Sequence, residues 1–117
     1  MIDDIGEQLV GWGTVLRLET RGRTSGRPVE VAVGYVDEAD GTLLVAAGTD
    51  DADWARNLFM DPRCVVTIGD DRRPATAEAL EGAEAARAVR ELILRYGTPA
   101  ERLGRGPAFR LTRESPG

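Results

Sequence analysis

From Thr14 to Thr20 apolar and polar side chains alternate, with Leu16 and Leu18 on one side and Arg17 and Glu19 on the other, the period-2 pattern of a half-buried strand. The polar stretch Arg21 to Pro28, with Gly22 and Gly26, predicts a chain reversal. A second strand over Val29 to Val36 places Val29, Val31, Val33 and Tyr35 on one face. Asp37 to Gly41 closes a hairpin onto Thr42 to Ala47, a continuous apolar strand. The run Thr49 to Asp53 offers N-cap side chains to a short helix near 52 to 61, which Pro62 stops. Cys64 to Ile68 and Ala75 to Leu80 read as a fourth and fifth strand joined by a turn over Gly69 to Arg73. Ala85, Val89, Leu92, Ile93 and Tyr96 repeat at the spacing of one helical stripe, which predicts a helix over 83 to 96 ended by Gly97 and Pro99. After an Arg- and Gly-containing loop, Ala108 to Thr112 alternates as a last strand. The expected architecture is mainly β: one domain over 1–117, a small six-stranded antiparallel barrel with helices outside it.

Composition supports a folded chain. Of 117 residues, 42% are hydrophobic, too many for an acidic disordered segment. No apolar run approaches the roughly 20 residues of a membrane-spanning helix, and the opening residues do not resemble a leader, so a cytoplasmic protein is expected. The net charge of −5 argues against general nucleic-acid binding, which draws its affinity from phosphate neutralisation. The single Cys64 forbids an internal disulfide, and with no His the usual zinc and iron ligand sets and the Ser-His and Cys-His nucleophile pairs cannot be assembled in one chain. No metal is expected, and an enzyme of this composition would take its chemistry from a bound cofactor.

Two segments could hold one. In the turn, Thr24 and Ser25 supply hydroxyl donors, Arg23 and Arg27 supply forked cations, and the glycines let backbone N–H groups approach a phosphate; a plain hairpin with solvated arginines is the competing reading. In the second, the small residues Ala46, Ala47, Gly48 and Thr49 leave room for a planar ring, and Trp54 and Asn57, three apart on one helix face, could border it. Against this, Trp54 reads equally as a core anchor and Asn57 as an end-of-helix polar residue. Tyr96 reads as a core residue with its hydroxyl at the surface, Cys64 as inert packing, and Asp50, Asp51 and Asp53 as helix-capping acids.

The ordered set Thr20 to Pro28, Tyr35-Val36, Val45 to Gly48, Trp54-Ala55-Arg56-Asn57-Leu58, Asp61-Pro62 with Val65 and Thr67, and Pro107 to Leu111 resembles the deazaflavin-dependent nitroreductase family. The resemblance runs from Val15 to Thr112. It implies a split β-barrel of the flavin-reductase type, the coenzyme F420 (FMN as the alternative), and direct hydride transfer to a small electron-poor or unsaturated organic substrate without an obligatory side-chain base. It places the coenzyme's phosphate and acidic tail on Gly22 to Gly26, and the ring against Val29, Val31, Ala32, Val33, Ala46 to Thr49 and the Trp54 to Asn57 stretch. The chain departs from the family in carrying Thr24 where Lys is usual, Val29 and Glu30 where Arg often follows the turn, Ala32-Val33 for Pro-Leu, and Asp50-Asp51 in the Gly-rich loop. A non-catalytic barrel that binds a hydrophobic ligand or a partner protein is the reading outside enzymes. A homodimer is expected, because so short a chain has a modest core.

Overall fold

A computed structural model describes residues 15–97 and 106–115. Its elements are β1 (Leu16–Arg21), β2 (Pro28–Val33), β3 (Val36–Asp37), β4 (Leu43–Ala46), α1 (Asp53–Met60), β5 (Arg63–Ile68), β6 (Asp71–Leu80), α2 (Gly82–Tyr96) and β7 (Ala108–Arg113). The strands form one antiparallel sheet in the order β2-β1-β5-β6-β7-β4-β3.

That order dictates the shape. Strands β2 and β3 lie at opposite edges, yet only Gly34 and Tyr35 separate them in the chain. Seven flat strands would set the edges about 29 Å apart, whereas the Val33 to Val36 connection reaches at most about 11 Å. The sheet therefore curls into a half-barrel. The expected single strand over 29 to 36 is two strands, giving seven rather than six, because the chain breaks at Gly34–Tyr35 to pass from one edge to the other. The break is pinned by Tyr96, whose hydroxyl accepts from the Tyr35 N–H (3.0 Å) and donates to its carbonyl (3.2 Å). This corrects the expectation of a surface hydroxyl: both tyrosines are buried.

Alternation sorts the core into two clusters. Leu16, Leu18, Val31, Val33, Leu43, Val45, Val66, Phe109 and Leu111 meet on one side with Trp54, Ala55 and Leu58 of α1. Because they join β2 at one edge to β4 near the other, this is the concave side. On the convex side, Ala88, Leu92 and Tyr96 of α2 cover Leu44, Ala46, Leu80 and Ala108. The expected stripe is present, with Ala85, Val89 and Ile93 as its half-buried margins. Each fully buried Leu contributes roughly 1.5–3 kcal/mol through apolar burial.

Both helices fall within one residue of expectation, but α1 starts differently. Ala52 occupies its N-cap with no side-chain cap bond, so Asp50, Asp51 and Asp53 do not cap it. Instead the Thr49 side chain bonds the Asp51 carboxyl and lowers its pKa. Gly97 at a φ of 75° ends α2 through an N–H bond to the Ile93 carbonyl of 2.7 Å. The loop expected after Gly97 lies largely outside the described residues, and among those residues no helix is long and apolar enough to cross a membrane.

Candidate functional site

The Arg21–Pro28 turn and helix α1 are tied together by one buried amide. Leu16, Leu18 and Thr20 point to the concave side, so the polar Thr20 ends up buried among hydrocarbon at the end of β1. Asn57, also buried, donates from Nδ2 to Thr20 Oγ1 at 3.0 Å. Its Oδ1 accepts both from the Arg23 backbone N–H (3.2 Å) and from Arg23 Nη1 (2.8 Å). The Arg23 fork also reaches the Asp53 carboxylate (3.1 Å) and the Asp53 carbonyl (3.4 Å). Asn57 is thus a core residue joining strand, turn and helix rather than an end-of-helix polar group, and Arg23 is engaged within the chain.

The turn itself uses most of its own donors. Gly22 N–H donates to the Arg27 carbonyl and Gly26 N–H to the Gly22 carbonyl, both at 2.8 Å, while Arg27 N–H donates to Ser25 Oγ at 3.1 Å. Gly26 takes a φ of 73°, a left-handed conformation that suits glycine. Thr24 and Arg27 are exposed on the turn, and Arg27 has no ion-pair partner among the described residues.

On the concave side, Ala47, Trp54, Val31 and Val33 share one cluster, and Gly48 is buried beside it. Trp54 packs on Phe109 with ring centroids 5.9 Å apart, and its Nε1, buried, has no hydrogen-bond partner among the described residues. Phe59, exposed near the end of α1, packs against Phe109 from 5.2 Å. Ala47 N–H donates to the Pro107 carbonyl at 2.9 Å, and a Cβ on Gly106 would stand 2.5 Å from the Thr49 carbonyl oxygen and 2.6 Å from that of Ala47. Glycine is therefore required where residue 106 crosses the Ala47–Thr49 segment.

Not every expected site residue joins this arrangement. Ala46 faces the convex cluster under α2, away from Ala47. Ala32 is buried outside both clusters, Val29 is half-buried, and Thr49 is exposed. Thr20, Asp53, Gly106 and Phe109 take part without being among the expected site residues. Thr20 carried a signal, a polar residue in register with Leu16 and Leu18; the others depend on contacts distant in sequence.

A cavity of about 270 Å³ lies behind the turn, lined by Glu19, Thr20, Arg21, Gly26, Pro28, Asp61, Arg63, Cys64 and Val65. Asp61 is shared there by Arg63 (3.0 Å) and Arg21 (3.7 Å). The bond from Arg63, then the charges of Arg63 and Arg21, hold the Asp61 carboxyl below its usual range against a small opposing effect of burial. Burial, with the Asp61 charge adding to it, pushes the Cys64 thiol up to about 11, which keeps it protonated and fits inert packing.

Comparison with known proteins follows this geometry. The profile of a family described as F420H2-dependent quinone reductase matches residues 2–104. Rv3178 of Mycobacterium tuberculosis, provisionally assigned as an F420H2-dependent quinone reductase, is 35% identical over 75 residues, covering 62% of this chain and 63% of that relative. The match thus spans less than two thirds of the relative's length. The solved structure of an F420-H2 dependent reductase (FDR-A) superposes with a TM-score of 0.69 at 26% identity, over 84% of this chain and 93% of the other. A structure described as a domain-swapped dimer superposes with a TM-score of 0.69 at 25% identity, over 91% and 92% of the two chains.

Proposed function

The chain belongs to the F420H2-dependent quinone reductase family, and from that premise we propose that it is an oxidoreductase using reduced coenzyme F420 to reduce a small organic acceptor. A quinone is electron-poor and unsaturated, so the family description and the expected acceptor class coincide; a nitro compound belongs to the same broad class.

The observation that carries the reading is Trp54 Nε1, a donor buried in the concave wall without a partner among the described residues. A buried unpaired N–H costs about 1–3 kcal/mol, which an acceptor on a bound coenzyme would recover. The donor set also fits the phosphate, since Arg27 and Thr24 are exposed on the turn. Val31 and Val33 complete the apolar lining, while Val29, Ala32, Ser25 and Asn57 support the strand and turn. When bound, the coenzyme supplies the hydride. The chain's part is to hold the ring, keep water from one face of it and leave the other open to the acceptor. Among the described residues the buried polar residues beside the concave cluster are Thr20 and Asn57, whose side chains are spent on each other and on Arg23, which favours positioning over side-chain proton transfer. A homodimer is part of the proposal, supported by the exposed Phe59 and Met60 and by the dimeric neighbour.

The test is a fluorescence-quenching titration with the coenzyme. Trp54→Phe is expected to keep the unfolding midpoint within about 1 kcal/mol of the parent while weakening coenzyme binding by about tenfold. Equal affinity in the two proteins would remove Trp54 from the site, and absence of binding in the parent would end the coenzyme reading.

A further inference from the structure

The arginines around the turn are already answered by the chain's own acids. Arg17 meets Glu30 at 3.3 Å, Arg23 meets Asp53 at 3.1 Å, and Arg72 meets Glu19 at 3.5 Å. Arg21 and Arg63 share Asp61 and keep one net positive charge, but on side chains 63% and 76% exposed. Exposed ion pairs contribute little, because water and salt screen them. Arg23 is the least exposed of the turn's paired arginines, with 27% of its side chain accessible, so it is the cation from which a bound anion would gain most. Both of its terminal nitrogens are engaged, Nη1 by Asn57 and the Asp53 carbonyl and Nη2 by the Asp53 carboxylate. An anion reaching it would have to displace a carboxylate that sits one residue before Trp54, on the first turn of α1.

Resting on the coenzyme reading above, we infer that Asp53 is a specificity residue. By occupying Arg23 it leaves the acidic tail of the coenzyme weakly held, so that the chain recognises the deazaflavin mainly through its ring. Arg27, without an ion-pair partner among the described residues, remains for the phosphate, and Asp50 and Asp51, both exposed just before the helix, add negative charge to that end of the site. The turn then works as a scaffold that sets the position of α1, and charge selection is muted.

The experiment compares two probes on the full chain by fluorescence quenching: intact F420, and the deazaflavin lacking phosphate and acidic tail. The expected result is a pair of dissociation constants within about tenfold of each other, the share that one free Arg supplies. Raising salt from about 0.05 to 0.5 M should weaken the intact form by less than about fivefold. Asp53→Asn should free the Arg23 charge and tighten the intact coenzyme by about tenfold, with the tail-less probe unmoved. A larger preference for the tail in the parent, or an Asp53→Asn protein that treats both probes as the parent does, overturns the inference. Should Asp53→Asn not fold, Arg27→Ala in the exposed turn decides: loss of the residual tail preference supports the inference, and its persistence overturns it. Binding of the ring without regard to the tail keeps both readings, strong tail dependence keeps the coenzyme reading alone, and binding of neither probe defeats both.

Discussion

Asn57 shows how one side chain can set a local architecture. All its hydrogen-bonding atoms are used, on Thr20 from β1 and on the backbone and fork of Arg23, so a change here removes bonds from three segments together. Asn57→Leu, with the same branching and number of side-chain heavy atoms, is expected to cost about 2–4 kcal/mol by leaving buried partners unpaired, read as a lower urea midpoint at unchanged slope. Cys64 gives a prediction in pH. Its folded pKa, about 11, stands above the ordinary 9.0, so folding favours the thiol over the thiolate. That contribution is fully present below about pH 9 and is lost as pH rises toward 11, an effect on the order of 2 kcal/mol. Tyr96, also raised by burial, acts in the same direction. Urea unfolding at about pH 8 and pH 11 should therefore show a smaller alkaline loss in Cys64→Ala than in the parent.

At the scale of elements, much was legible because alternation and helical spacing are local properties. Leu16 and Leu18, the apolar run of β4 and the Leu92–Tyr96 stripe all face where their period puts them. The β2–β3 break was not legible, since the alternation continues unbroken through Gly34 and Tyr35 and only the edge-to-edge closure requires a bend. The Arg23 clasp was hidden for a related reason. Its partners lie 30 and 34 residues away, and a Gly/Arg/Ser turn looks the same whether its cations face a ligand or a neighbouring helix. The crossing at Gly106 is likewise a tertiary property. Gly106→Ala should force the Ala47–Thr49 carbonyls aside, lowering stability by about 1–3 kcal/mol and weakening any ligand that lies on that segment. Thermal unfolding and the coenzyme titration, run on the same protein, would read the two effects separately.

At the scale of the molecule, the half-barrel leaves Phe59, Met60 and Leu94 as its exposed large hydrophobics among the described residues. Phe59 and Met60 end the same helix that carries Trp54 and Asn57, so a second copy seated there would lie next to the candidate site. Light scattering at micromolar concentration is expected to return a dimer mass, and the Phe59→Ser, Met60→Ser pair a monomer mass. The sheet order has another consequence. Strand β7 is inserted between β6 and β4, pairing Phe109 with both Ala79 and Val45, while β4 finds its other partner only in the two-residue β3. The last of the described elements is thus the keystone of the arch. Neither cluster can close until residues 108–113 have joined the sheet, so nearly the whole apolar interior waits on that strand. Until β7 docks, the facing edges of β4 and β6 stay open, so this long-range pairing is the slow step of assembly and the one that exposes strand edges to other chains.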